Sequence, residues 1–112
     1  MPRIIGRGKA LELMMTADTV NASLALEIGL VSKVVPAAEL EDEARKLAQT
    51  VAAKGPIALR YLKEAIIKGM DMTLEQGLRL EADLYFLLHT TSDRTEGIKS
   101  YLEKRPPKYE GK

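Results

Sequence analysis

The sequence predicts an all-α fold, and three observations carry that prediction. Apolar residues recur at helical spacing, most plainly at Leu40, Ala44, Leu47, Ala48 and Val51, which draw a single helix face. Helix-end signals punctuate the chain at Asn21, Gly29, Gly55-Pro56, Thr73-Leu74-Glu75-Gln76 and Pro106-Pro107. Aromatic residues are scarce, with one Phe, four Tyr and no Trp, so a core must come from Leu, Ile, Val, Ala and the five Met, a palette that suits helix packing. About five or six helices with at most one short extended segment are expected, in a single helical domain over residues 1–112.

The first helix is expected from Arg7 to Met15, with Ala10, Leu11, Met14 and Met15 as its apolar stripe. Asn21 is placed to cap a second, over Ala22 to Ile28, and Gly29 to end it in the left-handed conformation that costs least without a Cβ. Leu30 to Val35 reads extended, because Val31, Val34 and Val35 are β-branched and Pro36 disfavours helix at the residue before it. The clearest helix runs from Glu39 to Lys54, its first turn crowded by Glu39, Glu41, Asp42 and Glu43, where the helix dipole favours negative charge.

Gly55-Pro56 separates it from the next helix, whose buried side is expected at Ala58, Leu59, Leu62, Ile66 and Ile67 and whose end is expected at Gly69. Thr73 and Gln76 match a capping box, opening a helix that runs to His89. Its apolar residues, Leu74, Leu78, Leu80, Leu84, Leu87 and Leu88 with Tyr85 and Phe86, point to more than one side, so the helix is expected to lie between two packed surfaces. Ser92 is placed to cap a last helix over Asp93 to Lys104, stopped by Pro106-Pro107.

Seventeen basic and sixteen acidic residues leave a net charge of +1, so no global field draws in nucleic acid. The absence of cysteine excludes disulfides, thiolate metal sites and a cysteine nucleophile. No apolar run approaches the ~20 residues of a membrane span, and Met1-Pro2-Arg3-Ile4-Ile5-Gly6 lacks a signal-peptide apolar region, so a cytoplasmic protein without a membrane partner is expected.

Little catalytic chemistry is legible. A Ser-His-acid triad would have to use His89, the only histidine, and no nucleophile turn accompanies it; a polar group near a helix C-terminus is the simpler reading. One histidine and no cysteine exclude an ordinary zinc site. Gly6-Arg7-Gly8-Lys9 precedes a helix but matches neither phosphate-loop pattern, which favours a turn over an anion contact. The tail carries Lys99, Lys104, Arg105, Lys108 and Lys112 diluted by Glu103 and Glu110; composition leaves open a solvated tail or a contact to a phosphorylated ligand.

Four blocks resemble the enoyl-CoA hydratase/isomerase (crotonase) family. Pro2 to Thr16 is similar to the family segment that follows the active-site loop, and Ala25-Leu26-Glu27-Ile28-Gly29-Leu30-Val31-Ser32-Lys33-Val34-Val35-Pro36 to its Ala-x-x-x-Gly-Leu-Val-x-x-Val-Val-Pro stretch. The helix from Ala58 to Gly69 and the closing stretch Ser92 to Tyr109, with Arg94, Glu96-Gly97 and Glu103-Lys104-Arg105, complete the set. The resemblance implies the C-terminal helical region of such a protein, about the last two fifths of a member.

In the family two backbone N–H groups stabilise a thioester enolate and two glutamates add water, and both features lie upstream of the segment that Pro2 resembles, so no catalytic residue is expected here. The resemblance further implies that Lys104, Tyr101 and Tyr85 contact the acyl or nucleotide part of coenzyme A, Lys104 toward a phosphate. No cofactor is implied beyond the coenzyme A thioester that the family takes as substrate, bound only with a complete core. A homo-oligomer or a rearranged bundle is expected, because these helices pack in the family on a core that is absent here. The alternative is a freestanding helical module that assembles or binds a partner without enzyme activity.

Overall fold

In the computed structural model, which describes residues 1–112, the chain is all-α and forms two compact units, Met1–Ala44 and Arg45–Lys112. No helix is long and apolar enough to cross a membrane.

The first unit opens with a four-residue helix, α1 (Pro2–Ile5), which the short apolar stretch did not announce. Gly6 follows at φ 81°, a backbone region that favours glycine, and turns the chain into α2 (Arg7–Thr16). Ala10 and Leu13 are the buried side of α2, while Leu11, Met14 and Met15 stand exposed. The expected stripe is thus corrected to the neighbouring face, because no other element of the unit covers the side that carries the two methionines.

Helix α3 (Ala22–Glu27) begins where expected: the Asn21 carboxamide oxygen accepts the Leu24 N–H at 2.8 Å. It ends on Gly29 at φ 72°, with the Leu30 N–H donating to the Ala25 carbonyl at 2.8 Å and the Gly29 N–H to Leu26 at 3.1 Å. That pair of bonds is the Schellman termination that a glycine at this position permits. Residues 30–36 form no strand, since no second segment pairs with them; Lys33 instead forms an ion pair with Glu43. A 3-10 turn over Ala37–Glu39 then feeds α4 (Leu40–Ala52), which carries Glu41, Asp42 and Glu43 in its first turn as the dipole favours.

In the second unit α5 (Pro56–Gly69) starts on proline after Gly55, and α6 (Leu74–Leu88) starts on the expected capping box. The Thr73 hydroxyl accepts the Gln76 N–H at 3.3 Å and the Gln76 side chain accepts the Thr73 N–H at 3.2 Å. The two helices pack together with glycines facing each other at one point of contact: a Cβ built on buried Gly77 would lie 3.4 Å from the Gly69 carbonyl oxygen. His89 forms the C-terminal cap of α6.

Helix α7 (Ser92–Leu102) is capped by Thr91, whose hydroxyl accepts the Arg94 N–H at 3.3 Å, and not by Ser92. Ser92 has been drawn into the first turn because its hydroxyl donates to the Lys112 main-chain oxygen at 2.9 Å.

The buried core is small. Its hydrophobic members are Ala10, Leu13, Ala25 and Leu84. The side of α5 expected to be buried is open, with Leu62, Ile66 and Ile67 all more than half exposed, and the apolar face of α4 is exposed at Leu40, Leu47 and Val51. The periodicity was sound as a mark of helix; what it cannot specify is the surface that covers the face, and that surface is not supplied within either unit.

Candidate functional site

The start of α5, the end of α6, α7 and the tail after it border an open hollow of about 490 Å³. Ala58 of α5, Tyr85 and Leu88 of α6, and Ile98, Tyr101 and Leu102 of α7 give it an apolar lining, joined by Tyr109 from the tail. Tyr85 lies on the last turns of α6 and Tyr101 on the last turn of α7, and both line the hollow. Both side chains are largely open, Tyr101 at 83% exposure, and the edge of the Tyr85 ring meets His89 with centroids 5.0 Å apart.

Of the three binding residues implied by resemblance, Tyr85 and Tyr101 therefore share one hollow, whereas Lys104 does not line it. Lys104 occupies the position after the C-cap of α7 in left-handed backbone, φ 53°, where glycine is the usual occupant. Its N–H donates to the Tyr101 carbonyl at 3.2 Å and the next N–H, of Arg105, to Ser100 at 3.0 Å, so this end is a Schellman motif built without glycine. A left-handed residue with a side chain costs about 1 kcal/mol or more. The lysine is held there by the two hydrogen bonds that follow the turn.

The tail cations are not equivalent. Arg105 makes a two-pronged bond to Glu96, 2.6 and 2.9 Å, and a third contact to Glu103 at 2.6 Å. Lys112 pairs with Glu110 at 3.3 Å. Lys104 and Lys108 form no ion pair, which leaves their ammonium groups available. The expected dilution of the tail's charge thus falls on Arg105 and Lys112.

Two acidic residues that the sequence reading passed over organise this end of the molecule. Asp93, only 7% exposed, accepts the Glu110 N–H at 2.7 Å and the Gly111 N–H at 2.9 Å on its two carboxylate oxygens. Glu96, besides holding Arg105, accepts the Lys108 N–H at 2.8 Å. Tyr109, between these anchors, lies against two glycines: a Cβ on Gly97 would be 3.4 Å from its hydroxyl and one on Gly55 would be 3.6 Å from its ring. The signal was present as two carboxylates three residues apart ahead of a basic, Pro-rich tail, but Asp93 in the first turn of a helix is explained equally well by the dipole, and Glu96 beyond it by an ordinary helix surface.

The Arg105 guanidinium, with help from the Lys108 N–H, draws the Glu96 carboxyl down from its ordinary 4.5 to about 2, and Arg105 is pushed up in return. Because the folded value lies below the unfolded one, the contribution of this pair to holding the tail is complete above about pH 4.5 and is lost as the pH falls toward about 2. Hydrogen exchange at the Lys108 N–H, corrected for its intrinsic rate, is expected to stay slow down to that upper value and to accelerate below it. Glu96→Gln should flatten the response; an unchanged acid profile in that variant would assign the effect to another group.

Comparison with known proteins places this geometry. The enoyl-CoA hydratase/isomerase family profile matches residues 1–112. The chain is 42% identical over 105 residues to a crotonyl-CoA hydratase of Syntrophomonas wolfei, covering 94% of this chain and 40% of that protein. It is 37% identical to the (E)-benzylidenesuccinyl-CoA hydratase of Thauera aromatica, covering 99% and 43%. Among solved structures, enoyl-CoA hydratase from Bacillus anthracis superposes with a TM-score of 0.96 at 44% identity, over 99% of this chain and 43% of that one. The chain thus spans about two fifths of the length of these relatives. Matched in sequence along its whole length and in the course of its helices, the chain belongs to the enoyl-CoA hydratase/isomerase family.

Proposed function

We propose that these helices form the C-terminal part of an acyl-CoA site in a protein that reversibly adds water across the double bond of a 2-enoyl-CoA, and that they contribute contacts between subunits of a homo-oligomer. The reading is supported by two relatives, both named as hydratases of CoA thioesters. The observation that carries it is the meeting of Tyr85 and Tyr101 in one apolar hollow, with the unpaired ammonium of Lys104 at the end of the helix that bears Tyr101. An acyl or pantetheine chain suits the hollow, and a phosphate suits a lysine that no carboxylate neutralises. The helices hold and orient the thioester; no pair of carboxylates free to activate water lines the hollow.

Lys104→Gly tests the phosphate contact in the natural polypeptide and separates it from stability. Glycine relieves the left-handed strain, so the melting temperature should hold or rise, by about 1 kcal/mol of stability at most. Loss of a charge-assisted contact should weaken binding of a CoA thioester about tenfold while leaving the corresponding pantetheine thioester unaffected. Equal CoA affinity in the variant and the parent would remove Lys104 from the site.

A further inference from the structure

We infer that Tyr109 determines which apolar groups the hollow admits, and that Asp93 and Glu96 are positioning residues that hold it there by latching the tail. Tyr109 is the one lining residue that the tail contributes; the others belong to α5, α6, α7 or their caps. Its position does not come from local structure, because residues 106–112 are neither helix nor strand.

Two carboxylates of α7 supply what the tail lacks. Glu96 fixes the near end through the Arg105 guanidinium and the Lys108 N–H, and Asp93 fixes the far end through the N–H groups of Glu110 and Gly111. Tyr109 lies between the two anchors, with its ring packed over Gly55 and Gly97, where an added Cβ would come into ordinary van der Waals contact with it at 3.6 and 3.4 Å. Gly111 completes the turn at φ 76°, with space for a Cβ closed by Pro56 at 3.1 Å.

Two short N–H bonds to a buried carboxylate resist loosening, since breaking them leaves charge without partners. A wall held in this way sets the shape of the space beside Tyr101 without touching the reacting atoms. The inference rests on the hollow being an acyl subsite, and it extends that reading by assigning a determinant of chain length.

The test compares crotonyl-CoA and decanoyl-CoA binding to the natural polypeptide and to its Tyr109→Ala and Asp93→Asn variants, with hydrogen exchange at the Glu110 and Gly111 N–H groups as a second readout. Both variants are expected to shift the decanoyl-to-crotonyl preference in the same direction by about tenfold, the scale on which small volume changes discriminate in apolar pockets. Exchange should accelerate at both N–H groups in Asp93→Asn, whereas the Tyr109→Ala variant, which keeps both anchors, should change it little. An unchanged preference in Tyr109→Ala overturns the specificity role. Unchanged exchange in Asp93→Asn overturns the latch, and should Asp93→Asn fail to fold, Glu96→Gln read at the Lys108 N–H decides it in the same way. A parent protein that binds neither thioester sinks the acyl-subsite reading and the specificity role with it, while the exchange data still decide the latch.

Discussion

The 112-residue chain by itself is expected to hydrate crotonyl-CoA no faster than buffer does, a deficit of at least about a millionfold relative to an enzyme of ordinary power. Hydration needs a carboxylate within reach of the water it activates and donors aimed at the oxygen where negative charge develops. Together these contribute about 10²- to 10⁴-fold from proton transfer and a further 10²- to 10³-fold from each donor. The only acid lining the hollow is Asp93, and both of its oxygens are committed to tail N–H groups. Elsewhere Glu96 is held by Arg105, Glu64 by Lys68 and Glu12 by Lys9. The measurement is the loss of the conjugated thioester's ultraviolet absorbance, followed against chain concentration. Turnover that scales with the purified chain would show that these helices carry catalytic groups of their own.

The second large effect concerns association. At 1 mg/ml and above the isolated chain is expected to sediment as assemblies whose size grows with concentration. A groove along α5 and α6, lined by Ala58, Leu62, Ile66, Leu78 and Leu84 among others, lies open, and Leu62 and Ile66 are 58% and 59% exposed. Covering one such side chain contributes about 1.5–3 kcal/mol, so a few of them suffice to drive self-association or rearrangement. The double variant Leu62→Lys with Ile66→Lys should weaken association about a hundredfold or more by charging that face. It should leave the helices intact, since neither residue is buried within its unit and lysine is a good helix former. A sharply monomeric parent chain at high concentration, by light scattering, would refute the expectation.

Helix positions were largely legible from sequence because their causes are local. Asn21, Thr73 with Gln76, Gly29, Pro56 and the run of acids at Glu41 to Glu43 act within three or four residues of themselves, and each performs in the structure the role its type predicts, whereas Gly55, expected to end the preceding helix, instead caps the start of α5 while α4 stops at Ala52. The family was legible for a related reason, since its marks are short blocks in a fixed order. Failures occurred where a residue had two uses. Ser92 suits a cap as well as Thr91 does, and only the tail, twenty residues on in sequence, decides between them.

By itself, then, the sequence determined an all-α chain, the approximate ends of its main helices and its membership of a family. Tertiary structure alone decided which apolar faces are covered, that Tyr85 and Tyr101 share a hollow, and that Asp93 and Glu96 fasten the tail so that Tyr109 joins them. The physical reason is range. A cap or a helix-stop is fixed by hydrogen bonds between near neighbours and can be read in a window of a few residues. A latch between Asp93 and Gly111, or a meeting of Tyr85 with Tyr101, depends on how separate elements come to lie together, and each residue type involved is equally at home on an ordinary helix surface.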